Sequence, residues 1–76
     1  MGYFYIIIDD QSNRTRVQIN IKDNFGEVAT KYAEKKEINR NKVIFMLEGN
    51  KMKEEELVSE SVLEAESILY ALVEPE

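Results

Sequence analysis

Between residues 15 and 32 the apolar side chains change period, and that change constrains the fold more than any other feature of the chain. Thr15, Val17, Ile19 and Ile21 alternate with Arg16, Gln18, Asn20 and Lys22, the period of two that belongs to a strand with one wet face. From Phe25 onward, Val28, Ala29 and Tyr32 follow at i+3, i+4 and i+7, a spacing that closes into one stripe only on a helix. Between the two patterns Asn24 stands three residues before Glu27, a pair able to bond the free N–H groups of a helix start. The spacing predicts a helix over 25–37 with Lys31, Glu34, Lys35 and Glu37 facing water, and a strand that delivers the chain to it.

Residues 3–8 form an unbroken aromatic and β-branched run ending at Asp9-Asp10-Gln11-Ser12-Asn13, side chains that bond nearby backbone and favour turns. Run, turn and alternating segment make a β-hairpin over 3–21. Beyond the helix, 42–48 reads as a third strand around Val43-Ile44-Phe45-Met46-Leu47. Gly49-Asn50 is a turn into a short segment ending at Met52, and 68–73 is a last strand, after which Pro75 ends further pairing. The stretch 53–67 is acidic and irregular, anchored by Leu57, Val62 and Leu63. The order β-β-α-β-(short β)-β makes one domain over residues 1–76. It is too small for a deep pocket, because a chain of this size hides only about 60% of its unfolded surface.

The chain contains no His and no Cys. Disulfides, imidazole or thiolate metal sites, Cys nucleophiles and Ser/His relays are thereby excluded. Asp9-Asp10 and Glu54-Glu55-Glu56 read as a turn and a solvated run, so we expect no catalytic residues, no metal and no cofactor. A net charge of −5 is the wrong sign for a nucleic-acid binder, which needs Lys and Arg to displace counterions from phosphates. The charge is uneven: all ten Lys and Arg lie within 14–53, while 54–76 holds eight acids and no base, which gives a dipolar molecule whose basic part is able to steer an acidic partner. No apolar run nears the roughly eighteen residues of a membrane span. Residues 3–8 lack the basic flank of a signal peptide, and Ile6 stands where myristoylation wants Ser or Thr. The expectation is an intracellular protein, cytoplasmic, nuclear or both, with neither membrane nor nucleic acid as partner.

Asn24-Phe25-Gly26-Glu27-Val28-Ala29-Thr30-Lys31-Tyr32, Phe45-Met46-Leu47-Glu48-Gly49-Asn50-Lys51-Met52 and Ile68-Leu69-Tyr70-Ala71-Leu72 resemble the capped first helix, the strand-turn-strand element and the closing strand of the ubiquitin-like family. The Phe-x-x-Glu-Gly pattern and the helical Tyr32 lean toward its SUMO branch, and the resemblance extends over residues 3–73. It implies an α+β, ubiquitin-like β-grasp fold with a mixed four- to five-stranded sheet and one crossing α-helix. It also implies a non-catalytic protein-interaction domain whose partner is a protein of the ubiquitin or SUMO pathway, or a neighbouring domain. The alternative is a modifier conjugated to targets through a C-terminal Gly-Gly. Here the chain reads Val73-Glu74-Pro75-Glu76 where those glycines begin, and Asn50, next to Lys51, replaces a common acceptor lysine.

Two surfaces are expected to carry the interaction. With Val17, Ile19, Phe45 and Leu69 facing the helix and Met52, Leu57 and Leu63 closing the core, the alternation is expected to place Tyr5 and Ile7 inside and Phe4, Ile6 and Ile8 outside. The expected partner-binding face is then Ile6, Ile8, Ile44, Met46, Ile68, Tyr70 and Leu72, too apolar for a sheet left in water and open to weak self-association. Met46, Tyr70 and Leu72 fall where ubiquitin presents its recognition patch. The resemblance to SUMO implies a second surface, a peptide groove between strand 15–19 and the helix with Arg16, Val17, Lys31 and Lys35, where an extended peptide adds to the strand edge. Glu27 stands in that groove where SUMO has a lysine.

Overall fold

In the computed structural model, which describes residues 2–75, the hairpin comes first: β1 (Tyr3–Asp9) pairs antiparallel with β2 (Arg14–Asn20). Helix α1 (Phe25–Lys36) follows, opened by the expected box, with Asn24 Oδ1 accepting from Glu27 N at 2.8 Å and Glu27 Oε1 from Asn24 N at 3.4 Å. It ends one residue earlier than predicted because Glu37 turns left-handed at φ 58° and donates its N–H back to the last carbonyls. A 3₁₀ turn, Arg40–Lys42, leads into β3 (Val43–Leu47), then β4 (Asn50–Lys51), a second 3₁₀ turn at Val58–Glu60 and β5 (Ile68–Val73). The sheet runs β2-β1-β5-β3-β4, with β5 parallel to β1 and antiparallel to β3. This is the mixed β-grasp sheet that the resemblance implies. Met1 and Glu76, the outer residues of the expected 1–76 domain, lie outside the described residues.

The pleat of β1 is opposite to the one expected. Ile6 lies across from Val17, Ile8 from Thr15 and Phe4 from Ile19, and residues directly opposite in a ladder share a face. Val17 and Ile19 point at the helix, so Ile6 and Ile8 must as well, and both are fully buried; Phe4 packs partly against them. Tyr5 is exposed and Ile7 half-buried on the other side. A similar one-residue correction applies after β4. Val58, the first residue of the second 3₁₀ turn, and Leu63 close the core, whereas Leu57 and Val62 stay exposed.

Phe25, Val28, Ala29, Tyr32 and Ala33 form the buried stripe of α1. Phe45 receives the rings of Phe25 and Tyr32 edge-on, with centroids 6.4 and 6.3 Å apart, the arrangement that aromatic quadrupoles favour. Residues 53–57 form a strap across the start of the helix. Phe25 N–H donates to Glu56 O and Gly26 N–H to Glu54 O, at 3.0 and 2.9 Å. Arg40 ties the same corner, donating to Thr30 Oγ1 and Gly26 O at 2.7 and 3.1 Å and pairing with Glu54. Gly26 is what lets the strap approach: a Cβ there would sit 2.9 Å from Arg40 Nη2 and 3.3 Å from Glu54 Cβ.

Candidate functional site

The sheet has one face on the helix and one on solvent, and the solvent face is apolar. β1 contributes Tyr3, Tyr5 and Ile7, with Asn20, Gln18 and Arg16 of β2 opposite them; β5 adds Ile68, Tyr70 and Leu72, and β3 adds Ile44 and Met46. Tyr70 is 48% and Leu72 43% exposed, with Tyr3 and Tyr5 exposed on the same face, while Ile7, Ile44, Met46 and Ile68 are half-buried. Of the residues expected on this face, Ile44, Met46, Ile68, Tyr70 and Leu72 lie on it, and Ile6 and Ile8 lie in the core instead. Tyr3, Tyr5 and Ile7 take their place. Counting across the turn would have found them: Asp10 N–H bonds Asn13 O, and pairing 10 with 13 puts Ile6 opposite Val17.

The two arginines that β2 presents on the face are paired within the domain. Arg16 lies over the Tyr5 ring, its Cζ 3.9 Å from the centroid, and grips Glu66 with two bonds, Nε to Oε1 at 3.2 Å and Nη2 to Oε2 at 2.7 Å. The bond from Arg16 holds the Glu66 carboxyl below its usual range, and Glu66 in turn raises the Arg16 guanidinium. Arg14 pairs with Asp9 at 3.2 Å. Lys51, opposite Met46 on β4, rims the other side. At the hairpin end, the turn residues Asp10, Gln11 and Ser12 face Ile44, Leu72 and Glu74 across a shallow cavity of about 460 Å³.

The residues expected to line a peptide groove do not come together as one site. β2 is an edge strand, as such a groove needs, but Val17 is 4% exposed and belongs to the core, and the Arg16 side chain sits on the outer face with Tyr5 and Glu66. Lys31 Nζ donates to Asp23 Oδ2 at 2.7 Å, an oxygen that also accepts from Asn20 N at 3.0 Å. Burial works against the Asp23 charge, and the bonds from Lys31 and Asn20 outweigh it, leaving that carboxyl below its usual range. Lys35 Nζ donates to Arg16 O at 2.9 Å, on the very edge where a peptide strand would pair.

Comparison with known proteins agrees with this architecture. The family model described as Ubiquitin-2 like Rad60 SUMO-like matches residues 5–73. No curated protein sequence matches the chain. Among solved structures, one described as "Molecular Mimicry of SUMO promotes DNA repair" superimposes with a TM-score of 0.86 at 13% identity, covering 96% of this chain and 94% of that one; at that identity the likeness is one of fold. The helix, the sheet order and a family match that takes in β2 through β5 and most of β1 lead to one assignment: the chain belongs to the Rad60 SUMO-like family of ubiquitin-like domains.

Proposed function

We propose that residues 1–76 are a non-catalytic SUMO-like interaction domain that offers the outer face of its sheet to a protein of the SUMO pathway, inside the cell, in the cytoplasm, the nucleus or both. The observation that carries this reading is the face itself: Tyr70 and Leu72 stand 48% and 43% exposed among Tyr5, Ile7, Ile44, Met46 and Ile68 on the side of the sheet away from the helix, which none of the described elements covers. Contiguous apolar surface of this kind marks interaction sites, and Tyr and Met supply contact area at low entropy cost and with adaptable shape. The mimicry of SUMO described for the similar structure is the mode we propose here, a fold that occupies a SUMO-binding partner without chemistry of its own. The edge of β2 is the weaker candidate, since Lys31 and Lys35 are both engaged within the domain.

The test is titration of the labelled domain with candidate SUMO-pathway proteins, read residue by residue from amide shifts. Perturbations should cluster on Ile44, Met46, Ile68, Tyr70 and Leu72, and Met46→Ala and Tyr70→Ala should each weaken binding at least roughly tenfold while leaving the fold intact. Shifts confined to β2 and α1 would transfer the site to the groove.

A further inference from the structure

One side chain ties the β1–β2 turn to the core. Tyr32 is fully buried, its ring edge-on to Phe45, yet its hydroxyl reaches the turn and donates to Asp10 Oδ2 at 3.0 Å. The other oxygen of Asp10 gathers the turn backbone, accepting from Ser12 N at 3.0 Å and Asn13 N at 2.7 Å. The turn needs such support, because Gln11 at its tip sits at φ 79°, a conformation that costs any residue with a Cβ. The same turn is one wall of the shallow cavity on the outer face, opposite Ile44 and Leu72.

We propose that Tyr32 is a positioning residue for the binding face: its core-anchored hydroxyl clamps Asp10 and so fixes the β1–β2 turn as a rigid wall beside Leu72. The proposal rests on the reading that this face binds protein. Packing alone would be served by Phe, which fills the same space. The hydroxyl matters because a buried donor without an acceptor is costly, so the core tolerates only turn conformations that keep Asp10 in place. A wall ordered beforehand spares the partner the cost of ordering it.

Tyr32→Phe keeps the ring and removes the clamp. In the partner-free domain the amides of Ser12 and Asn13 should then exchange roughly five- to tenfold faster, the loss expected for one hydrogen bond. The amides of Ile6 and Ile8 should change much less. A uniform acceleration through the sheet, or an unaltered turn, overturns the proposal. Should the variant fail to fold, the Tyr32 hydroxyl proton of the wild-type domain decides: slow exchange with water supports the clamp, and exchange as fast as that of exposed Tyr3 overturns it. Neither measurement involves a partner, so their outcome is separable from that of Tyr70→Ala, which tests whether the face binds at all.

Discussion

At the scale of single residues, Asp23 gives up most of its water beside the start of α1 and keeps its charge because Lys31 and the Asn20 amide both bond its Oδ2. Asp10 is also held below its usual range, chiefly by the amide of Asn13. A carboxyl whose folded pKa lies below its unfolded value of about 3.9 contributes stability that is present in full above that value and is lost as the pH falls through the folded one. Urea unfolding at a series of pH values should therefore give a flat stability from neutral to about pH 5 and a decline below about pH 4. Asp23→Asn should lower the plateau by about 1–2 kcal/mol and make the acid limb shallower; an unchanged limb would remove Asp23 from the account. The pleat of β1 is testable in the same way. Ile6→Ala should cost about 2–5 kcal/mol as a core truncation, and Tyr5→Ala, from the solvent face, much less.

Elements show where the sequence was legible and where it was not. The periods of two and 3.6 located β2 and α1 to within a residue or so, because each buries one face and wets the other. β1 defeated the same logic: Phe4, Ile6 and Ile8 on one side and Tyr5 and Ile7 on the other are all apolar, so alternation alone could not say which side meets the helix, and only the turn length decides it. At the groove the sequence was silent for another reason. The partner of Lys35 is a backbone carbonyl on another element, which no side-chain pattern reports. Lys35→Ala should leave stability within about 0.5 kcal/mol, as for most exposed side chains, yet bare the edge of β2, so that an extended Val/Ile-rich peptide shifts the Arg14 and Arg16 amides of the variant more than those of the wild type. The β3–β4 hairpin carries a further mark. Its two turn residues, Glu48 and Gly49, have φ of 51° and 81°, the I′ geometry that suits Gly at the second place and Asn or Asp better than Glu at the first. Glu48→Asn should stabilise the domain by roughly 0.5–1 kcal/mol in chemical denaturation, on the scale of relieving one left-handed residue; a loss would reveal a role for the Glu48 carboxylate.

Across the whole molecule, the basic middle and acidic end of the sequence fold onto one another at Arg16–Glu66 and Arg40–Glu54. With Arg14 also paired to Asp9, the arginines on the outer face are neutralised within the domain, and binding there should draw mainly on apolar contact. Affinity measured between roughly 0.05 and 0.5 M salt should then vary by less than about threefold, where a steered, charge-driven encounter would lose far more. The strap over the helix bears on time as well as on structure. Phe25 and Gly26 have their amides capped by Glu56 and Glu54, so the first turn of α1 is completed only when a distant part of the chain arrives. Contacts of such separation form late. Glu54→Ala, which keeps the backbone cap but cuts the strap's side-chain tie to Arg40, should accordingly speed unfolding and hardly slow refolding, and residues 53–57 should open before the hairpin does, admitting a protease at a seam that the rest of the native state keeps shut.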